Sequence, residues 1–260
     1  MVYRELPPAG FVRFIIDRVE VVCAKHVADA ILEALRAGTV YQYARLHAQA
    51  RPLTGRGVAY AVPLPGDVER VVVRHNRHGG LLAPLTRDLF RPPTFAPAEL
   101  KISEQLRRAG VPTPSMLGYV LYPAPAGLRR VDVVTREVEN SRDLSDAMMS
   151  TDRGYRERAL AATAALVSAL IGANARHHDL NVKNVLLHDG PEGLIEALVL
   201  DVDRVEFVDD VDTVREANLA RFLRSAKKWQ TIHRAVVTDD ELETFASAVR
   251  ARPRLASTLS

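Results

Sequence analysis

The chain has 260 residues, 47% of them hydrophobic and 26% charged, with 35 Lys plus Arg against 32 Asp plus Glu for a net charge of +3. These figures exclude a disordered chain, a collagen-like repeat and a disulfide-stapled miniprotein, and the length suits one large domain or two lobes. Cys23, the single cysteine, has no internal partner and follows Val21 and Val22, so it reads as a small buried hydrophobe.

Met1 to Gly10 lacks the apolar stretch of a secretory signal, so none is expected. From Phe11 to Val138 the chain reads as strands with one or two helices among them. Val27 to Arg36 has helical periodicity and stops at Gly38. Val58 to Val62 and Val68 to Val73 are β-prone runs separated by Pro63, Pro65, Gly66 and Asp67, the pattern of a hairpin. A further helix begins at Pro97, carries Leu100, Ile102 and Leu106 on its apolar face, and ends at Gly110. Strand patterning resumes over Leu117 to Tyr122 and Val131 to Val138. From Leu144 onward the chain is mainly helical, with short strands at Val185 to Leu187 and Ala197 to Leu200. Ala159 to Ala175, largely alanine, predicts a buried core helix and no membrane span. This order predicts an α+β, two-lobed protein, with a sheet-rich N-terminal lobe over 1–138 and a mainly helical C-terminal lobe over 139–260.

The segment richest in chemistry is His177-His178-Asp179-Leu180-Asn181-Val182-Lys183-Asn184, which leads into an apolar strand. A turn and a second strand follow, ending on Asp201-Val202-Asp203-Arg204. Phosphoryl transfer needs an acidic residue at the acceptor hydroxyl and oxygen ligands for metal ions that neutralise the phosphates. A kinase catalytic loop reads His-x-Asp with Asn five residues after the Asp, which is the spacing of Asp179 and Asn184. Asp201 stands at the strand end where a second metal ligand is expected. Taken singly, each of these residues also suits an ordinary turn or a solvated strand end.

Together with Arg74-His75-Asn76-Arg77-His78-Gly79-Gly80 and Gly110-Val111-Pro112-Thr113-Pro114, these motifs make the chain from about Gly55 to Phe207 resemble the Kdo and lipopolysaccharide-core kinases. The resemblance implies a bilobal protein-kinase-like fold with ATP bound between the lobes. It also implies γ-phosphoryl transfer to a hydroxyl of Kdo in a lipid A precursor, during lipopolysaccharide core synthesis. Asp179 resembles the catalytic aspartate, and Asn184 and Asp201 the Mg²⁺ ligands. Gly55 and Gly57 resemble a shortened glycine-rich loop, which reads equally as a plain turn. Glu99 resembles the helix glutamate that orients a phosphate-binding base. No lysine follows Val71-Val72-Val73; Arg74 is there, a cation that suits phosphate, Glu99 or the acceptor.

His178 replaces the Arg of His-Arg-Asp, Val202-Asp203 replaces Phe-Gly, and no Ala-Pro-Glu follows, so regulation in the manner of protein kinases is not expected. The expected partners are a lipid-linked Kdo acceptor and an anionic membrane surface, on the cytoplasmic face of the bacterial inner membrane. Arg74, Arg77, Arg129, Arg130 and Arg204 are the candidate arginines for meeting the acceptor, each of which reads by default as part of a solvated charged face. With 6% aromatic residues and a small charge excess, no nucleic-acid partner is expected; no obligate protein partner is expected either. The other readings are a kinase-fold phosphotransferase acting on a core heptose, an aminoglycoside or a protein, and a pseudokinase-like scaffold that transfers nothing.

Overall fold

The computed structural model describes residues 6–54, 58–77 and 88–251. Gly55, Gly57 and the His78-Gly79-Gly80 end of the arginine-histidine run lie outside the described residues. The chain divides into two compact units, one of Met1–Lys101 with Ser115–Glu137, the other of Ile102–Pro114 with Val138–Ser260.

The first unit is built on a seven-stranded antiparallel sheet. Its strands are β1 (Phe11–Ile16), β2 (Val19–Ala24), β3 (Arg51–Thr54), β4 (Val58–Pro63), β5 (Arg70–His75), β6 (Met116–Pro123) and β7 (Arg129–Arg136), in the order β1-β2-β6-β7-β5-β4-β3. Alternation along each strand sorts side chains onto two faces. Val71, Val73 and Val134 pack with helices α1 (Ala28–Ala34) and α2 (Val40–Leu46), whereas Val131 and Val133 pack with Ala96 and Leu100. The latter two residues lie in helix α3 (Ala96–Arg108). Helix α2 was not individually legible; its start is fixed by a capping box, with Thr39 accepting from the Gln42 amide at 3.0 Å and the Gln42 side chain accepting from Thr39 N–H. Gly118 lies so close to β2 that a Cβ there would come within 2.5 Å of the Val22 carbonyl and 2.8 Å of Cys23 Cα. Only glycine allows that approach of β6 to β2.

A polar cluster sits on the α1/α2 face of this sheet. Asp132, wholly buried, accepts from Tyr41 N–H at 3.0 Å and Tyr122 O–H at 2.9 Å, and pairs with His75 Nδ1 at 2.6 Å. His75 Nε2 meets Asp88 at 3.0 Å. Burial alone would lower the His75 pKa, but the hydrogen bonds and charges of Asp132 and Asp88 outweigh it and raise the value above the ordinary one. A raised folded-state pKa means that His75 contributes stability below the unfolded histidine value of about 6.5, and that this contribution disappears as pH rises through the folded value. As pH rises above the unfolded histidine value of about 6.5, thermal unfolding is therefore expected to show a fall in Tm attributable to this group. His75→Gln should flatten that part of the profile; an unchanged slope in the variant would remove His75 as its origin.

The second unit contains β8 (Ser141–Asp143), β10 (Val185–Asp189) and β11 (Ile195–Val199) in one antiparallel sheet, and β9 (Ala175–His177) paired with β12 (Val205–Phe207). Around them lie helices α4 (Leu144–Met149), α5 (Arg153–Gly172), α6 (Val211–Ile232) and α7 (Asp239–Ala251). The alanine-rich helix expected at Ala159 to Ala175 is α5. It begins earlier than expected because Asp152 caps it, accepting from Tyr155 N–H at 3.0 Å. It also ends earlier, and Asn174, at φ +55°, turns the chain into β9. Leu166, Leu170 and Phe222 are buried in the core of this unit, each contributing on the order of 1.5–3 kcal/mol by leaving water. Within it Arg156 on α5 and Glu241 on α7 form a buried ion pair at 2.9 Å. Both ends are further satisfied, Arg156 by the Ser150 carbonyl at 2.8 Å and Glu241 by Thr238 N–H at 2.7 Å. Among the described residues no helix is long and apolar enough to cross a membrane.

Candidate active site

The loop from His177 to Asn184 is held by backbone and buried side chains, which leaves its chemistry-bearing groups little freedom to wander. His177 is 1% exposed and links two segments. Its Nδ1 accepts from Asp179 N–H at 3.1 Å, and its Nε2 lies 3.0 Å from the Leu200 carbonyl. A carbonyl can only accept, so Nε2 carries the proton and Nδ1 the lone pair. Burial lowers the His177 pKa, outweighing the Leu200 contact and the nearby Asp201 and Asp179 charges, and so favours this neutral tautomer.

Asn184 ties the same segments together a second time. Its Nδ2 donates to the Asp179 carbonyl at 2.9 Å, and its own carbonyl accepts from Leu200 N–H at 2.9 Å. The β10–β11 register, with Val185 opposite Val199, sets Asn184 beside the residue that precedes Asp201. Since Nδ2 must face the carbonyl, Oδ1 of Asn184 is the amide atom left for accepting or ligating. Asp201 itself has φ +53° and ψ +48°, left-handed backbone that a non-glycine residue adopts at a cost and that Asp tolerates better than most. A turn follows, with Arg204 N–H on the Asp201 carbonyl at 3.1 Å, and the Arg204 carbonyl accepts from His178 N–H at 2.9 Å. Asp179, Asn184 and Asp201 are thus connected through a short chain of hydrogen bonds.

Helix α6 supplies residues that the sequence reading missed. Asn218, wholly buried, accepts from His177 N–H at 2.9 Å and donates to the Ala175 carbonyl at 2.9 Å. Arg221 Nη2 donates to Asp179 Oδ1, and Ser225 Oγ accepts from Val182 N–H at 3.2 Å. These side chains recur at the spacing of one helix face. A wider surface hollow of about 600 Å³, lined by Arg142, Asp146, Met149, Ser150, Asp152 and Tyr155, contains none of the expected site residues.

In the first unit Arg74, next to last in β5, pairs with Glu99 at 2.5 Å. Glu99, in the first turn of α3, is 6% exposed. Burying that carboxylate favours a paired cation. Arg74 and Val72 occupy the sheet face opposite Val71 and Val73 by strand alternation. Of the other arginines expected at the acceptor, Arg130 pairs with Asp88 at 2.8 Å and Arg129 donates to the Arg18 carbonyl at 3.1 Å.

Comparison with known proteins gives the class of this chain, a kinase-like phosphotransferase. Residues 49–248 match the lipopolysaccharide kinase (Kdo/WaaP) family. A 3-deoxy-D-manno-octulosonic acid kinase of Stenotrophomonas maltophilia is 30% identical, the match covering 75% of this chain and 78% of that protein. One from Xanthomonas campestris pv. campestris is 31% identical over 69% of this chain and 71% of its own. A solved structure described as WaaP in complex with acyl carrier protein shares the fold, with TM-score 0.54 and 19% identity, covering 85% of this chain and 87% of that one. The chain belongs to the lipopolysaccharide kinase (Kdo/WaaP) family: it is a phosphotransferase acting on a hydroxyl group, in lipopolysaccharide biosynthesis.

Proposed function

We propose that the chain transfers the γ-phosphoryl group of ATP to a hydroxyl of Kdo in a lipid A precursor. The observation that carries this reading is the hydrogen-bonded link from Asp179 through Asn184 to the backbone beside Asp201. In the reaction the acceptor oxygen forms a bond to the γ-phosphorus, the bond to the β-phosphate oxygen breaks, and ADP leaves. Asp179 aligns the acceptor hydroxyl and takes its proton late in transfer, as suits a loose phosphoryl transition state. Its backbone is anchored on both sides, so positioning supplies much of the rate.

The donor set fits Mg²⁺: the carboxylate of Asp201 and the amide oxygen of Asn184 are hard oxygen ligands, and the amide is turned to present that oxygen. A magnesium ion there would neutralise charge on the phosphate oxygens. In the first unit, Arg74 oriented by Glu99 is proposed as the phosphate-binding cation, replacing the usual lysine with a forked donor. The described residues do not include Gly55 and Gly57, and their role stays an expectation from the motif.

The acceptor is proposed to be lipid-linked, met by peripheral, salt-sensitive contact with the anionic cytoplasmic face of the bacterial inner membrane. The net charge of +3 agrees with that contact in sign. No obligate protein partner is proposed, although the WaaP neighbour was solved in complex with acyl carrier protein; activity of the purified chain without added protein would support this. The full test is radiolabelled ATP with a panel of acceptors: a Kdo-bearing lipid A precursor, a heptosylated core, an aminoglycoside and a protein. Label in Kdo alone is expected. Label in another acceptor, with none in Kdo, would replace this reading by that one, and label nowhere would favour the scaffold.

A further inference from the structure

A hollow of about 150 Å³ lies between β9 and α6, lined by Arg176, His177 and His178 from one side and by Ala217, Ala220, Arg221 and Arg224 from the other, with Arg221 reaching on to Asp179. The acceptor arginines expected from the sequence (Arg74, Arg77, Arg129, Arg130 and Arg204) are absent from it. Building on the phosphotransferase reading, we infer that this hollow is the subsite for an anionic oxyacid group of the acceptor, a sugar carboxylate or a lipid phosphate.

Size, charge and position each support the assignment. A volume of about 150 Å³ holds roughly five water-sized groups, enough for a carboxylate or phosphate with its attached carbons and too little for a lipid body. Ala217 and Ala220 keep the α6 wall low, while Arg221 and Arg224 rise from the same helix face. Among the described residues neither Arg176 nor Arg224 has a carboxylate within ion-pairing distance. Arg221 gives one terminal nitrogen to Asp179, yet its Nε is buried and makes no hydrogen bond. A buried guanidinium nitrogen left so is costly, and an incoming oxyanion would satisfy it.

Two acids temper the positive charge: Asp179 through Arg221, and Glu206, which pairs with His178 at 2.9 Å and lies opposite Arg176 in the β9–β12 register. The arginines still outnumber them, and their forks match carboxylate and phosphate oxygens in pairs. Arg221 touches both the hollow and Asp179, so an anion bound there lies one side chain from the proposed proton acceptor. The subsite would thereby orient the acceptor hydroxyl.

The test titrates the full chain, without nucleotide, with inorganic phosphate and separately with free Kdo, following chemical shifts. Arg176→Gln and Arg224→Gln are each expected to weaken binding about tenfold or more, as loss of a charge-assisted contact implies. Arg36→Gln, an exposed arginine paired with Glu33, controls for lost net charge. In phosphoryl-transfer assays the same two variants should raise the KM for the Kdo-bearing lipid acceptor and leave the KM for ATP unmoved. Repeating this with an acceptor stripped of its lipid phosphates separates the sources: a KM effect that persists assigns the carboxylate, and one that vanishes assigns the phosphate. Titrations and acceptor KM values equal to wild type in both variants would overturn the subsite. If instead the wild type transfers nothing to Kdo acceptors while anion binding still depends on these arginines, the proposed acceptor fails and the anion site stands.

Discussion

Asp179→Asn should remove phosphoryl transfer almost completely while leaving the fold intact. The structural duties of residue 179 belong to its backbone, whose N–H donates to His177 Nδ1 at 3.1 Å and whose carbonyl accepts from Asn184 at 2.9 Å and from Asn181 at 3.0 Å. All of these survive an exchange of side-chain oxygen for NH₂. What is lost is the charge that takes the acceptor proton, together with the charge facing Arg221. General-base contributions are worth about 10²–10⁴ in rate, which sets the expected fall in kcat. The ion pair with Arg221 is partly exposed, so its loss should cost stability no more than about 1 kcal/mol. Turnover by purified Asp179→Asn at more than about a tenth of the wild-type rate, with an unchanged melting profile, would show that another group accepts the proton.

The Arg221 contact shows where sequence reading stops. Asp179, Asn184 and Asp201 were legible because they lie within one stretch of chain, at spacings fixed by a loop and a hairpin. The hairpin itself was legible from two apolar runs and a turn, and β10 and β11 pair accordingly. Asn218, Arg221 and Ser225 come from a helix some forty residues downstream. On a sequence, polar residues at helical spacing look like a solvated face. The available signal was their sharing a face with Ala217 and Ala220, small residues that let another segment approach. The end of α5 was misread for a related reason, since Ala173 and Ala175 continue an alanine run that a left-handed Asn174 interrupts. Asn has some tolerance for that conformation, but one asparagine is a weak stop signal within so helical a composition. Arg74 and Glu99, by contrast, were singled out through the kinase resemblance, which left Arg74 suited to phosphate, Glu99 or the acceptor; the structure pairs Arg74 with Glu99.

Asp201→Asn and Asn184→Asp should both impair magnesium-dependent turnover, although one removes a negative charge and the other adds one. At position 201 the backbone is left-handed, and Asn accepts that conformation as readily as Asp, so the substitution isolates the loss of the carboxylate. A site with one fewer anionic oxygen holds a hard dication more weakly, and the Mg²⁺ concentration giving half-maximal rate should rise at least about tenfold. Asn184→Asp adds the missing charge, and on charge alone would tighten the site. Yet Asn184 is 5% exposed, and its Nδ2 is the donor that holds the Asp179 carbonyl. An ionised carboxylate there sets two acceptors against each other in a buried place and loosens the loop. The expectation is therefore a lower kcat for Asn184→Asp with no gain in magnesium affinity. Magnesium titrations of both variants decide: a tighter metal requirement and retained kcat in Asn184→Asp would mean that charge alone governs the site, and that the amide link between loop and strand end does not position the reacting groups.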